Sequence, residues 1–111
     1  MEVLFDDARF RDECNSDKAL VRRHNVQRAK VIRRRLDDLR AAPTLGTMRT
    51  LPGRCHELLG DRAGQLSIDL DGPYRLLFRP LAEPMPRKAD GGLDWARVER
   101  ISVIGVVNTH D

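Results

Sequence analysis

The sequence predicts an α+β fold, in which N-terminal helices pack on one face of a small antiparallel sheet of about four or five strands. Residues 54–79 contain three short strand-like runs with turn signals between them. Residues 25–42 carry apolar side chains at helical spacing, and residues 101–107 are a continuous apolar run typical of a central strand. At 111 residues the chain has the size of one domain, so we predict a single domain over residues 1–111.

The N-terminal part of the chain predicts an edge strand and two short helices. Residues 3–5 are a short apolar run that could add a strand to the sheet. Asp6 or Asp7 then stands where a helix cap is expected, because a carboxylate accepts from the free N–H groups of a first helical turn. Ser16 or Asp17 is placed to cap a second helical turn or two.

Residues 25–42 predict the longest helix, which Pro43 ends because proline disfavours helical geometry in the residue before it. Its apolar residues recur at spacings of three or four and form one stripe, expected to pack on the sheet: Val26, Ala29, Ile32, Leu36 and Leu39. Its arginines fall largely outside that stripe: Arg28, Arg33, Arg34, Arg35 and Arg40. The connector that follows, residues 43–53, is rich in proline, glycine and threonine and is predicted to hold one short helix near residues 45–49.

Three runs, residues 55–59, 65–70 and 74–79, predict an antiparallel meander. In the second and third runs apolar and polar residues alternate, so one face of each strand is apolar. The Asp71-Gly72 dipeptide between them is typical of a tight hairpin. A proline-rich and glycine-rich loop follows over residues 80–92, and we expect Trp95 to anchor it to the body of the protein.

The net charge of +3 is unevenly distributed. Residues 1–17 hold two basic and six acidic groups, residues 18–40 hold nine basic and two acidic groups, and residues 41–111 hold nine of each. Positive charge concentrated in one segment is typical of a surface that binds a polyanion such as RNA. The alternative is that it only solvates the outer face of the long helix.

Cys14 and Cys55 are too few for a disulfide framework, so we predict reduced thiols and a cytoplasmic location. The sequence contains no run of about 18 apolar residues, so we predict no membrane span. The N-terminus lacks the pattern of a secretory signal. The histidine, cysteine and carboxylate residues are not spaced as the ligands of a metal site are. We therefore predict no metal and no cofactor.

Three residues could meet at one end of the predicted sheet: His56 in its first strand, Arg75 in its third, and His110 after the last strand. Two imidazoles and a guanidinium are sufficient to cleave RNA, by deprotonating the ribose 2′-hydroxyl, protonating the leaving oxygen and stabilising the phosphorane. The alternative interpretations are structural. A strand histidine is often a surface residue, Arg75 and Arg79 could simply mark the polar face, and chain ends often fray.

Two segments of the meander carry the most specific pattern. Residues 56–64 read His-x-Leu-x-Gly-Asp-Arg-x-Gly, and residues 74–78 read Tyr-Arg-Leu-x-Phe. With the basic helical half before them and the strand ending in Asn-Thr-His after them, they resemble the HigB-type toxins of the RelE/ParE superfamily, also called plasmid-maintenance killer proteins. The segments DKALVRRH and PRKADGGLDW resemble a subgroup of these proteins, and the resemblance spans nearly the whole chain.

The resemblance implies a RelE-like, microbial-ribonuclease-like fold and a toxin of a type II toxin–antitoxin system. Such toxins are mRNA interferases, metal-independent and ribosome-dependent endoribonucleases that cut translated mRNA and so inhibit translation. The implied partners are the ribosome, mRNA and a small helix-turn-helix antitoxin. Operator DNA is contacted only through that antitoxin. No cofactor and no membrane are implied.

The resemblance also implies roles for individual residues. The family's strand histidine falls on His56, its phosphate-contacting arginine on Arg75 and its C-terminal histidine on His110, which gives the predicted catalytic set. The turn at residues 60–62 matches the family's turn that shapes the site. The predicted RNA-binding residues are Arg28, Arg33, Arg34, Arg35, Arg62 and Arg79.

Two departures from the family pattern leave alternatives open. Leu59 stands where relatives commonly carry a phosphate-binding lysine, and Asn108 and Thr109 replace a common Asp-Tyr pair. A catalytically weakened or inactive protein that still binds its antitoxin or RNA is one alternative. A gyrase-inhibiting, ParE-like toxin is the other, against which the retained His56 and His110 argue.

Overall fold

The computed structural model of the protein describes residues 1–110. Five strands and three α-helices follow one another along the chain: β1 (Glu2–Phe5), α1 (Ala8–Cys14), α2 (Asp17–His24), α3 (Val26–Ala41), β2 (His56–Glu57), β3 (Leu66–Asp69), β4 (Tyr74–Pro80) and β5 (Arg100–Asn108). Three short 3₁₀ helices, at Leu45–Thr50, Gly60–Arg62 and Trp95–Arg97, lie in the connections. The predicted α+β class is confirmed.

The strands form one mixed sheet in the order β1-β5-β4-β3-β2. The predicted meander is confirmed, since the pairs β2–β3 and β3–β4 are antiparallel, and β4 and β5 also pair antiparallel. The first strand is an edge strand, as predicted, but it pairs parallel to β5, with Glu2 opposite Arg100. A parallel partner is possible here because three helices lie between β1 and the rest of the sheet, which gives the chain the crossover that parallel strands need.

The three helices lie on one face of the sheet, and the core fills the space between them. Four of the five predicted stripe residues of α3 are buried: Ala29, Ile32, Leu36 and Leu39. They share the core with side chains from one face of the strands, which include Leu66, Ile68, Leu76, Phe78, Ile101 and Val103. Val26 was wrongly assigned to the stripe. It is 61% exposed, because it opens the helix directly after the cap residue Asn25.

Helices α2 and α3 meet at a single residue, Asn25. Its backbone N–H donates to the Val21 carbonyl at the end of α2, and its side chain accepts from the Arg28 N–H in the first turn of α3. The chain changes direction sharply between the two helices, and Asn25 has φ 79°, a positive value that is uncommon for a residue other than glycine. Helix α2 has eight residues, about two turns, in agreement with the turn or two predicted.

The connections place two further predicted features. The loop residue Trp95 is 5% exposed, its indole N–H donates to Glu57 over 2.9 Å, and the Arg49 guanidinium lies 3.9 Å from its ring centre. The predicted anchor is thus confirmed. Strand β2 is shorter than predicted, although the Gly53 carbonyl and the Leu58 N–H continue the pairing with residues near β3 on either side of it.

Gly53 is the glycine for which this backbone has the least room. It has φ +111°, and a Cβ built there would lie 2.5 Å from the Ile68 side chain and 2.9 Å from the Arg35 Nε. We expect Gly53→Ala to lower the free energy of unfolding by about 2–3 kcal/mol, the left-handed backbone and the clash both contributing. Urea denaturation of the variant measures the loss.

Gly64 provides the matched control for this prediction. It also has a positive φ, +91°, but nothing lies within 4 Å of a Cβ built on it. Gly64→Ala should therefore lower the free energy of unfolding only through the unfavourable positive φ, by about 1–2 kcal/mol. Equal losses in the two variants would contradict the close approach at Gly53.

Cys14 and Cys55 are free thiols, and burial raises the pKa of each to about 12. Both are therefore protonated and poorly reactive near neutral pH. No helix within residues 1–110 has the length and the apolar character to cross a membrane.

Candidate functional site

The sheet face opposite the helices carries the candidate site. On β3 and β4 this face presents the residues that alternate with the core positions: Ser67, Asp69, Arg75, Leu77 and Arg79. A shallow depression of about 100 Å³ lies on it, with a lining that includes Leu58, Arg62, Ser67, Arg75, Val107 and Thr109. The polar face predicted from the alternation is therefore a surface on which side chains from four parts of the chain meet.

His56 lies opposite Ser67 at the β2 side of this face. Its Nδ1 is 2.7 Å from the backbone carbonyl of Arg54. A carbonyl oxygen can only accept, so Nδ1 carries the proton and Nε2 of the neutral ring holds the free lone pair. Nε2 lies 3.5 Å from the Ser67 hydroxyl. The backbone thus orients the imidazole so that the nitrogen able to take a proton points across the sheet.

Arg75 lies directly opposite Asp69 on β3 and is held on several sides. Its Nε is 2.8 Å from one oxygen of the Asp69 carboxylate, and its Nη1 donates to the carbonyls of Gly72 and Tyr74. The other Asp69 oxygen is 2.6 Å from the Nε of Arg54. The structure therefore brings two predicted catalytic residues close together, since His56 is joined to Arg75 through Arg54 and Asp69.

His110 follows the end of β5 and is exposed. Its backbone N–H donates to the Asn108 side chain, and the preceding residue, Thr109, is tied to the Pro73 carbonyl. In β5 the residue in line with His56 is Gly105, which precedes His110 by five residues. No hydrogen bond joins the two imidazoles in the described part of the chain, and their convergence stays a prediction.

The predicted RNA-binding residue Arg28 is held inside the structure. Its guanidinium forms a two-point ion pair with Asp71, donates to the His24 carbonyl and stacks 3.4 Å from the centre of the Tyr74 ring. The side chain is only 14% exposed. These contacts attach α3 to the β3–β4 turn, so Arg28 has a structural position and is a poor candidate for RNA contact.

The other arginines of α3 differ in how freely they face solvent. Arg35 donates its Nε to the Asp69 backbone carbonyl, and Arg33 pairs with Asp17 of α2 over 3.3 Å. Arg34 is exposed and lies beside Lys30 in a shallow groove of the helix surface. Of the α3 arginines predicted to bind RNA, Arg34 thus keeps an exposed position. Arg62, in the turn after β2, is exposed at the edge of the depression.

Arg79 is exposed but occupied by Asp6, with which it forms a two-point ion pair, and Asp6 also accepts from the Ser102 hydroxyl. The Arg79 hydrogen bonds, followed by that of Ser102, lower the pKa of Asp6 below 3.8. The pair links the start of α1 to β4 and β5. As an RNA-binding residue Arg79 would have to exchange this partner.

A carboxylate whose pKa is lowered by folding stabilises the protein above its unfolded pKa, and this contribution is lost as the pH falls through the folded value. We therefore expect Asp6→Asn to lower the free energy of unfolding at neutral pH by up to about 1 kcal/mol, a small figure because the pair is partly exposed. The difference from the parent protein should shrink as the pH falls below 3.8. Urea denaturation over that pH range measures it, and a pH-independent difference would contradict the role of the charge.

Three residues of the site were not identified from the sequence: Arg54, Ser67 and Asp69. Ser67 and Asp69 could have been found, because they alternate with Leu66 and Ile68 and so share the face of His56. Arg54 has no such signal. It precedes β2 and reaches Asp69 only because its backbone takes a left-handed conformation, φ 48°.

No family model matches this sequence, and no curated protein matches it. Among solved structures, the chain is similar to a YoeB/ParE toxin from Agrobacterium tumefaciens, with a TM-score of 0.60 and 16% sequence identity. The similarity covers 97% of this chain and 98% of the other. It therefore concerns the whole domain, and the fold is of the RelE/ParE toxin type.

Proposed function

We propose that this protein is the toxin of a type II toxin–antitoxin system, of the HigB type, and that it cleaves mRNA on the ribosome. The observation that carries the proposal is His56, whose unprotonated Nε2 is oriented by a backbone carbonyl beside the arginines that contact Asp69. A base and fixed cations on an uncovered sheet face suit the cleavage of a long polyanion. The RelE/ParE-type fold supports the same proposal.

In the proposed reaction, Nε2 of His56 takes the proton of a ribose 2′-hydroxyl, and the 2′-oxygen attacks the adjacent phosphorus. The bond from phosphorus to the 5′-oxygen breaks, and an acid, for which we propose His110, protonates that oxygen. The products are a 2′,3′-cyclic phosphate and a 5′-hydroxyl. Arg75 stabilises the charge on the phosphorane, and its fixed position means that little rearrangement is needed when that charge develops.

The shape of the site supports dependence on the ribosome. The depression holds about 100 Å³, whereas sites that enclose a small molecule commonly hold roughly 300–1,000 Å³. A nucleotide bound here would stay largely exposed, so the protein by itself would bind RNA through its phosphates but could not exclude water from the reacting nucleotide. Ribosomal RNA around the mRNA would supply the missing walls, and exposed cations such as Arg34 and Arg62 would contact its phosphates.

The remaining partners are proposed from the same family likeness. A small helix-turn-helix antitoxin would neutralise the protein, and operator DNA would be contacted only through that antitoxin. The expected location is the cytoplasm, where translating ribosomes are found in bacteria.

Two observations favour a second candidate, a weakened or inactive toxin that retains its binding partners. Leu59, at the position where relatives commonly carry a lysine, is 88% exposed and offers no charge to a phosphate. His110 makes no hydrogen bond to His56 within residues 1–110. Such a protein would bind RNA or antitoxin without cleaving.

Primer extension on a reporter mRNA in a purified translation system tests these functions, with ribosomes present or omitted. New 5′ ends within the reading frame, only when ribosomes translate, are the result expected for the proposed function. Intact mRNA together with growth arrest on expression would overturn it in favour of a binding toxin, the gyrase-inhibiting type included. Intact mRNA without growth arrest would favour the inactive form.

A further inference from the structure

Three arginines surround one aspartate at the edge of the candidate site. Arg54 and Arg75 contact the two oxygens of the Asp69 carboxylate at 2.6 and 2.8 Å. Arg35, from α3, donates to the Asp69 backbone carbonyl at 3.0 Å. The carboxylate itself faces two guanidinium groups, and with Arg35 at the backbone carbonyl three positive charges lie around one negative charge. A surplus of fixed positive charge attracts an anion.

The backbone before β2 is bent to bring Arg54 to this cluster. Gly53 and Arg54 both have positive φ, 111° and 48°. For an arginine this conformation is unfavourable, and such local strain is most common at functional sites. The bend has two results: the Arg54 carbonyl meets Nδ1 of His56, and the Arg54 side chain meets Asp69.

We propose that Arg54 is a phosphate-binding residue of this site, which together with Arg75 binds a second phosphate of the RNA strand. The inference rests on the proposed function and deepens it, because it names the cation that replaces the lysine absent at Leu59. In the free protein Asp69 holds the two guanidinium groups side by side. On binding, Arg54 turns toward the RNA phosphate, for which a planar guanidinium offers two parallel hydrogen bonds.

The side chains of Arg75 and Arg54 differ in how much of their surface is exposed, and this difference indicates different roles. The Arg75 side chain is 19% exposed, whereas that of Arg54 is 73% exposed. Arg75 is thus fixed by the sheet, and Arg54 is free to exchange partners. An exposed ion pair contributes little to stability, so little is lost when Arg54 leaves Asp69.

Fluorescence anisotropy with a labelled single-stranded RNA hexamer, 2′-O-methylated so that it cannot be cleaved, tests the inference. Arg54→Ala removes the side chain but keeps the carbonyl that orients His56. We expect its affinity to fall about 10-fold, as for the loss of one charge-assisted hydrogen-bonding group. The slope of log affinity against log salt should fall by about 0.7, the value for one phosphate contact on a single strand.

Two variants accompany Arg54→Ala. Arg54→Lys keeps the charge and loses the two-point geometry, so the salt slope should stay near that of the parent protein while part of the affinity is lost. Arg97→Ala is the control: Arg97 is also exposed, on the 3₁₀ turn whose Trp95 is buried in the core. It should bind as the parent does. Thermal melting checks that all three variants fold.

The outcomes separate this inference from the proposed function. If the parent protein and Arg54→Ala bind the hexamer equally, with the same salt slope, the role of Arg54 is overturned while ribosome-dependent cleavage still stands. If Arg97→Ala loses as much affinity as Arg54→Ala, the effect is one of general charge, and the inference is likewise overturned. If the parent protein cleaves mRNA on ribosomes but does not bind the hexamer, the inference is overturned and the proposed function stands. If it neither binds the hexamer nor cleaves mRNA, both fail.

Discussion

Replacing His56 with alanine is expected to lower the rate of mRNA cleavage by about 1,000-fold, within the range found when a general acid or base is removed. The reason is the loss of the Nε2 atom, which the Arg54 carbonyl keeps unprotonated and which lies 3.5 Å from the Ser67 hydroxyl. The side chain is exposed and its strand pairs through the backbone, so the variant should fold. Single-turnover cleavage of a reporter mRNA on programmed ribosomes measures the effect.

Two controls define the part played by His56. Ser67→Ala removes the hydroxyl near Nε2 and should change the rate less than about 10-fold, because the attacking oxygen belongs to the RNA. An mRNA with a 2′-deoxyribose at the cleavage position should remain intact with the parent protein. Cleavage by His56→Ala at nearly the parental rate, or cleavage of the 2′-deoxy substrate, would contradict the assigned chemistry.

Arg75→Ala should reduce cleavage by about 100-fold or more, as does removal of one group that stabilises transition-state charge in other enzymes. Its guanidinium is fixed by Asp69 and by two backbone carbonyls, with Nη1 at 2.8 Å from the Tyr74 oxygen. Asp69 keeps Arg54 as a partner in the variant, so no unpaired carboxylate should destabilise the sheet. The same single-turnover assay measures the loss.

Arg75→Lys and Arg97→Ala complete this test. The lysine variant keeps a positive charge without the planar fork, and we expect it to recover only part of the lost rate. Arg97→Ala removes an exposed arginine elsewhere and should cleave normally. If Arg75→Ala also cleaved normally, Arg75 would be a structural partner of Asp69 with no role in catalysis.

Local patterns in the sequence were enough for most of the fold. The caps Asp7 and Ser16, the stop at Pro43 and the alternation in the meander each depend on near neighbours, and each has the predicted role. The parallel pairing of β1 was not predictable in the same way. Glu2 pairs with Arg100, 98 residues away, and the direction of such a contact depends on how the helices between them pack.

The candidate site was predictable where it follows strand periodicity. A period of two places Arg75 and Ser67 on the face that His56 also shares. The same reasoning could not predict which arginines of α3 are free of protein partners and so able to contact RNA. A helical period shows that Arg28 lies outside the apolar stripe, but its pairing with Asp71 is set by where the β3–β4 turn meets the helix.

The position of β5 in the sheet has a consequence for how the protein is made. This strand, Arg100–Asn108, lies between β4 and β1 and pairs with both. Contacts between distant parts of a chain form late, because a long loop must close first. The sheet therefore cannot be completed before β5 has been synthesised and has left the ribosome, and the surface that carries His56 and Arg75 would become fully ordered only then.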